Sequence, residues 1–125
     1  MTEETARVLA ALENAMPDGA AVRIGRPEAE ARCPAVLVQP AERLPVCVSG
    51  GETLLTRVTQ PVRIIARSMG QLDGFTDRAV TAMSGLGYRL IEAQSVEGLP
   101  RARTLTFRAT ADSAGFIYSE ENGGT

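Results

Sequence analysis

Apolar residues return along this chain with two periods, and the changes between them mark out the elements. Val8, Leu9, Leu12 and Ala15/Met16 repeat at the spacing of one helical face, which predicts an amphipathic helix over residues 3–15. Thr2 is placed to cap it, Glu3 and Glu4 suit the positive end of its dipole, and Pro17-Asp18-Gly19 ends it. Ala21-Val22-Arg23-Ile24 reads as a short strand, Glu28 to Arg32 as a charged connection, and Pro34 to Pro40 as a buried strand bracketed by prolines. Residues 40–53 hold Pro40, Pro45, Gly50 and Gly51 around Val46-Cys47-Val48, and are expected to form a long loop or flap.

The second half alternates more cleanly. From Leu54 to Arg67, Val58, Gln60, Val62, Ile64 and Ala66 share one face, while Arg57, Thr59, Pro61, Arg63, Ile65 and Arg67 share the other. Pro61 inside this run suggests an edge position or a bulge. A second helix is predicted over 73–86 with the stripe Phe75, Ala79, Met83 and Leu86, Leu72 as a staple before it, and Gly85-Leu86-Gly87 as its stop. Tyr88 to Ala93 reads as a strand, Gly98-Leu99-Pro100 as a turn, and Arg103 to Ala111 as a strand with Leu105, Phe107, Ala109 and Ala111 inward and Thr104, Thr106, Arg108 and Thr110 outward. Two helices and a run of strands predict an α+β two-layer sandwich, a mostly antiparallel sheet with both helices on one face. At 125 residues the chain fits one domain, set at residues 1–112, with residues 113–125 as a flexible C-terminal tail that contains the apolar cluster Phe116-Ile117-Tyr118.

Composition narrows the chemistry. All 13 basic residues are Arg, and there is no His and no Lys. That removes imidazole bases and metal ligands, Ser-His-Asp and Cys-His pairs, Schiff bases and the phosphate-binding lysine of nucleotide loops. Ser49-Gly50-Gly51-Glu52 lacks the pattern of a phosphate loop, and the carboxylate pairs Glu28/Glu30 and Asp73/Asp77 sit where acids favour helix starts or solvate loops. No enzyme activity, cofactor or metal is expected. Cys33 and Cys47 fit neither a redox nor a zinc spacing. The acidic N-terminus lacks the form of a secretory leader and no stretch has the length of a membrane span, so a cytoplasmic protein is expected. With net charge −2, bulk attraction to nucleic acid is not expected either. The charge is uneven: residues 53–111 carry eight Arg and four acids, whereas both flanking segments are net acidic. An Arg-bearing strand face, a proline-rich flap and an apolar tail are surfaces suited to self-assembly.

The helix TARVLAALENAM, the proline-flanked strand CPAVLVQP, the flap, the long strand TRVTQPVRIIARS, the helix GFTDRAVTAMSGLG and the final strand RTLTFRATAD follow one another in an order that resembles the tail-terminator (tail completion) proteins of long-tailed bacteriophages and prophage-like particles. The resemblance spans most of residues 3–112 and lies in element order with local echoes. It implies a virion-tail structural protein, assembled in the host cytoplasm as a ring, commonly a hexamer. That ring caps the tail tube, ends its polymerisation and docks the head-side connector. The implied partners are further copies of the chain, the tube protein and the connector. On patterning alone, Arg57, Arg63 and Arg67 are expected to pair with acids of a neighbouring copy, the flap from Glu42 to Glu52, with Val46 and Val48, to touch the tube or connector, and Phe116, Ile117 and Tyr118 to form an arm across the next copy. A head-tail connector of the same kind of particle, or a ferredoxin-like regulatory domain that binds a small molecule, are the other readings of the pattern.

Overall fold

A computed structural model describes residues 3–25, 34–112 and 117–118 of the chain. The element order is α1 (Glu3–Ala15), β1 (Ala21–Ile24), β2 (Ala35–Val38), β3 (Glu42–Ser49), β4 (Glu52–Ile65), α2 (Met69–Gly85), β5 (Arg89–Val96), β6 (Leu99–Asp112) and β7 (Ile117–Tyr118). It is an α+β sandwich, with one mostly antiparallel sheet under two helices.

Two strands of 14 residues each, β4 and β6, form the spine of the sheet, paired without a break from Leu55↔Asp112 to Ile65↔Ala102. Each then carries two shorter strands end to end along its far side. On β4 these are β3, opposite residues 52–59, and β2, opposite residues 62–65, with β1 parallel to β2 beyond it. On β6 they are β5 and the two-residue β7.

Pro61 falls at the junction on the β4 side. Its carbonyl accepts the Gln39 N–H at 3.1 Å as the chain leaves β2 for β3, so the edge where Pro61 has no N–H faces a gap between two strands. No ladder bond is lost, and the proline needs neither the sheet edge nor the bulge that its sequence context suggested. Gln60 completes the junction from within the core: its Nε2 donates to the Gln39 carbonyl at 2.7 Å and to the Pro61 carbonyl at 2.8 Å.

The helices cover one half of the sheet. Val8, Leu12 and Met16 of the first helical segment and Leu72, Phe75, Ala79 and Met83 of the second pack with Val58, Val62, Ile64, Leu105 and Phe107. The α2 helix starts a turn earlier than its apolar stripe implied, because Ser68 caps it: Ser68 Oγ accepts the Gln71 N–H at 3.1 Å, which brings Leu72 inside the helix and into the core. It ends at Gly85 in a Schellman arrangement, with Gly87 at φ +96° just past the cap: the Tyr88 N–H donates to the Met83 carbonyl and the Gly87 N–H to the Ser84 carbonyl. Arg78 of α2 donates to the Ala15 carbonyl at 3.0 Å and places a cation at the C-terminus of α1, whose last turn has no basic residue of its own.

Three other expectations change. Residues 42–49 are a strand, because Pro45 lies on an outer strand that tolerates a missing donor, and the ladder absorbs it with register shifts between Pro45 and Cys47 and between Cys47 and Val48. Gly50 and Gly51, with φ +59° and +84°, then make a two-residue hairpin turn into β4, where a loop had been expected. The later turn is Glu97-Gly98, with Leu99 and Pro100 already in β6. Thr2, Cys33, Glu28 to Arg32 and Phe116 lie outside the described residues.

Candidate assembly surface

Strand alternation sends every second residue of β4 and β6 to the face away from the helices, and cross-strand register shows what lines up there. Arg57 stands opposite Thr110, Thr59 opposite Arg108, and Arg63 opposite Thr104, with Arg63 Nε donating to Thr104 Oγ1 at 3.4 Å. On the other side of β6, Arg89 pairs with Arg108 and Glu92 with Thr106. This face thus brings together Arg57 and Arg63 with Arg89 and Arg108, among threonines and with Glu92 and Asp112 interspersed. Arg67 is not part of it. The strand ends at Ile65, and Arg67 lies in the exposed turn before α2, its backbone N–H bonded to Gln71 Oε1.

The second feature is the β3–β4 hairpin. Residues of α1 and α2 pack over the half of the sheet that holds β1, β2 and β5, while seven of the eight β3 residues are exposed. Leu44 is 58% exposed, Val46 42%, Val48 60% and Leu54 41%, so four of the seven large exposed apolar side chains among the described residues fall within this one hairpin. Leu44 is in register with Arg57 and belongs to the helix-free face. The hairpin's base is tied to the helical layer by an ion pair between Arg43 and Glu4. Beside that pair Tyr88 is buried, and its hydroxyl is pushed up from 10.0 to about 12, first by burial, then by the Glu4 carboxylate, with Arg43 and Arg7 acting the other way.

Elsewhere the polar groups hold structure together. Asp73 is paired with Arg103 at 3.2 Å, and Arg103 also donates to Thr76 Oγ1 at 3.0 Å, so half of the Asp73/Asp77 pair braces α2 on β6. Among the described residues no three of His, Cys, Asp and Glu gather into a group able to hold a metal ion. A shallow groove of about 480 Å³ between α1 and α2 is lined by Ala11, Asn14, Ala15, Asp77, Arg78, Thr81 and Ala82, and its arginine is the one that caps α1. No helix among the described residues is long and apolar enough to cross a membrane.

Of the residues singled out in the sequence, Arg57 and Arg63 share one face, and Val46 and Val48 are exposed together on the hairpin. Ile117 and Tyr118 form β7, opposite Ala111 and Thr110 of their own chain. Sequence reasoning had Leu44 inside the flap from Glu42 to Glu52 but did not single out Leu54, Arg89 or Arg108 as members of these surfaces. The alternation of 103–111 does turn Arg108 outward, but only the register sets Arg89 beside it. No family model matches the chain, and no match is found among the curated proteins.

Proposed function

We propose that this chain is a structural subunit of a phage-type tail, a terminator that assembles into a ring on the end of the tail tube, stops its growth and offers a docking surface to the head-side connector. The observation that carries the reading is the β3–β4 hairpin, where Leu44, Val46, Val48 and Leu54 are exposed on one small element. Clustered apolar side chains on an element without helical cover are characteristic of a surface that is buried in an assembly.

The α+β sandwich and its element order support the same reading. So does the nature of the hairpin's outer strand: Pro45 and two register shifts make it a poor template for a further strand. A subunit that ends a polymer needs a surface that binds the last layer and edges that do not invite another. The helix-free face, with arginines, threonines and a few acids, is suited to a polar protein contact.

The test is genetic and visual. Deleting the gene from the particle that encodes it is expected to leave tails of irregular length that do not join heads, seen by electron microscopy. Particles of normal tail length with heads attached would overturn the proposal.

A further inference from the structure

We propose that copies of the chain join edge to edge, β1 of one copy pairing antiparallel with residues Glu92 to Ser95 of β5 in the next, so that one sheet continues around the ring. The inference rests on the ring reading above and assigns the contact between neighbours within it. β1 and β5 are the two ends of the strand path β1-β2-β4-β6-β5, and among the described residues neither has a strand paired on its outer side. Within β1 the backbone is divided between its two sides. The N–H groups of Ala21 and Gly25 donate to the carbonyls of Pro34 and Val38 at 3.2 and 3.1 Å, so alternation turns those of Val22 and Ile24 to the open edge, a template for a further strand. Each edge also carries a large exposed apolar side chain, Ile24 on β1 and Ile91 on β5.

Register selects a second copy as the occupant. Followed across the sheet, Ile24 leads through Val38, Val62 and Leu105 to Ala93, and Arg23 leads through Leu37, Arg63 and Thr104 to Gln94. β1 and the middle of β5 therefore stand at one level. The β5 register shifts between Leu90 and Glu92 and between Ser95 and Val96, which leaves four regular residues, the length of β1. A ring whose axis runs along the strands holds every copy at the same height and brings β1 onto that stretch. The directions agree as well: β1 is parallel to β2, and three antiparallel steps from β2 to β5 leave β5 running opposite to β1. Across the new pair Ile24 lies beside Ala93, both exposed and both on the helix side. On the other face Arg23 lies beside Gln94 and diagonal to Glu92, within reach of a long side chain and opposite in charge.

Other edge contacts are disfavoured by the same residues. Pairing β1 with β1, or β5 with β5, sets Arg23 or Glu92 close to its own counterpart and stops at two copies. Backbone pairing along β3 meets Pro45 and its two register shifts. Two unlike edges joined head to tail are what a closed ring requires. The β3–β4 hairpin lies at one end of the long strands, so this ring sets every copy's hairpin on the same rim, clear of the contact between neighbours.

Cysteine cross-linking tests the contact, in a Cys33→Ser/Cys47→Ser background with and without tail tubes. Residues 24 and 93 stand at opposite edges of one chain, so a disulfide between them forms only between copies. Oxidised Ile24→Cys/Ala93→Cys is expected to give a ladder of covalent multimers that ends at the ring size, and Ile24→Cys alone is expected to give none. No ladder where the wild-type chain forms the ring overturns the contact and leaves the ring reading standing. A wild-type chain that sediments as a monomer even with tube ends present removes ring and contact together. Ile24→Pro gives a second readout, because it deletes an N–H on the open edge and keeps the bonds to β2. Loss of the ring at an unchanged melting temperature supports the contact, and a retained ring overturns it. Should that variant not fold, the cross-link decides alone.

Discussion

Gln60 is a polar side chain in the middle of an apolar face, 2% exposed, and its amide holds the carbonyls of Gln39 and Pro61 where β2 hands over to β3. Gln60→Leu would fill the space but leave those carbonyls buried without this donor, so it is expected to cost about 1–3 kcal/mol of stability, measurable by urea unfolding. Tyr88 gives a pH signature instead. Its folded pKa of about 12 lies above the ordinary 10.0, so the unfolded chain releases the proton first. The contribution is complete below about pH 10 and is lost as pH rises toward about 12. Tyr88→Phe is therefore expected to lessen the fall in stability over that range, and equal slopes for variant and wild type would contradict the placement of this hydroxyl.

The helix boundaries depend on caps as much as on apolar stripes. The stripe Phe75, Ala79 and Met83 is plain in the sequence and packs as its spacing predicts, whereas the first turn of α2 carries exposed Met69 and Gly70 and is defined by Ser68. At the other end, Gly87→Ala forces a side chain into φ +96°, and a loss of about 1–2 kcal/mol is expected in thermal unfolding, with the helix itself retained. The hairpin shows where pattern reading fails. Pro40, Pro45 and two glycines in 14 residues argue locally for a loop, yet the two glycines are what a tight turn needs, and Pro45 is tolerated because, among the described residues, β3 pairs on one side, with β4. Partner strands are nonlocal information. The same limit hid Arg89: alternation within one segment says which way a residue points, and only cross-strand register says which arginines become neighbours. The buried faces of β4 and β6 were legible because burial alternates with a period of two over residues 58–64 and 105–111.

Taken as a unit, the molecule divides its labour between two ends of one sheet. Where the helices lie, β1, β2, β5 and the inner faces of β4 and β6 form a closed core; at the other end the hairpin carries its apolar side chains outward. The proposed account, a subunit that works by joining copies of itself to the end of a tube, draws on the resemblance to tail terminators and on this division. The mass of the purified chain in solution, measured by light scattering alone and then with isolated tail tubes, tests that account most directly. It predicts a discrete multiple of 13.2 kDa, six-fold for a hexamer, either free or bound at tube ends. A species that remains at 13.2 kDa in both conditions, with no binding to tubes, would contradict it.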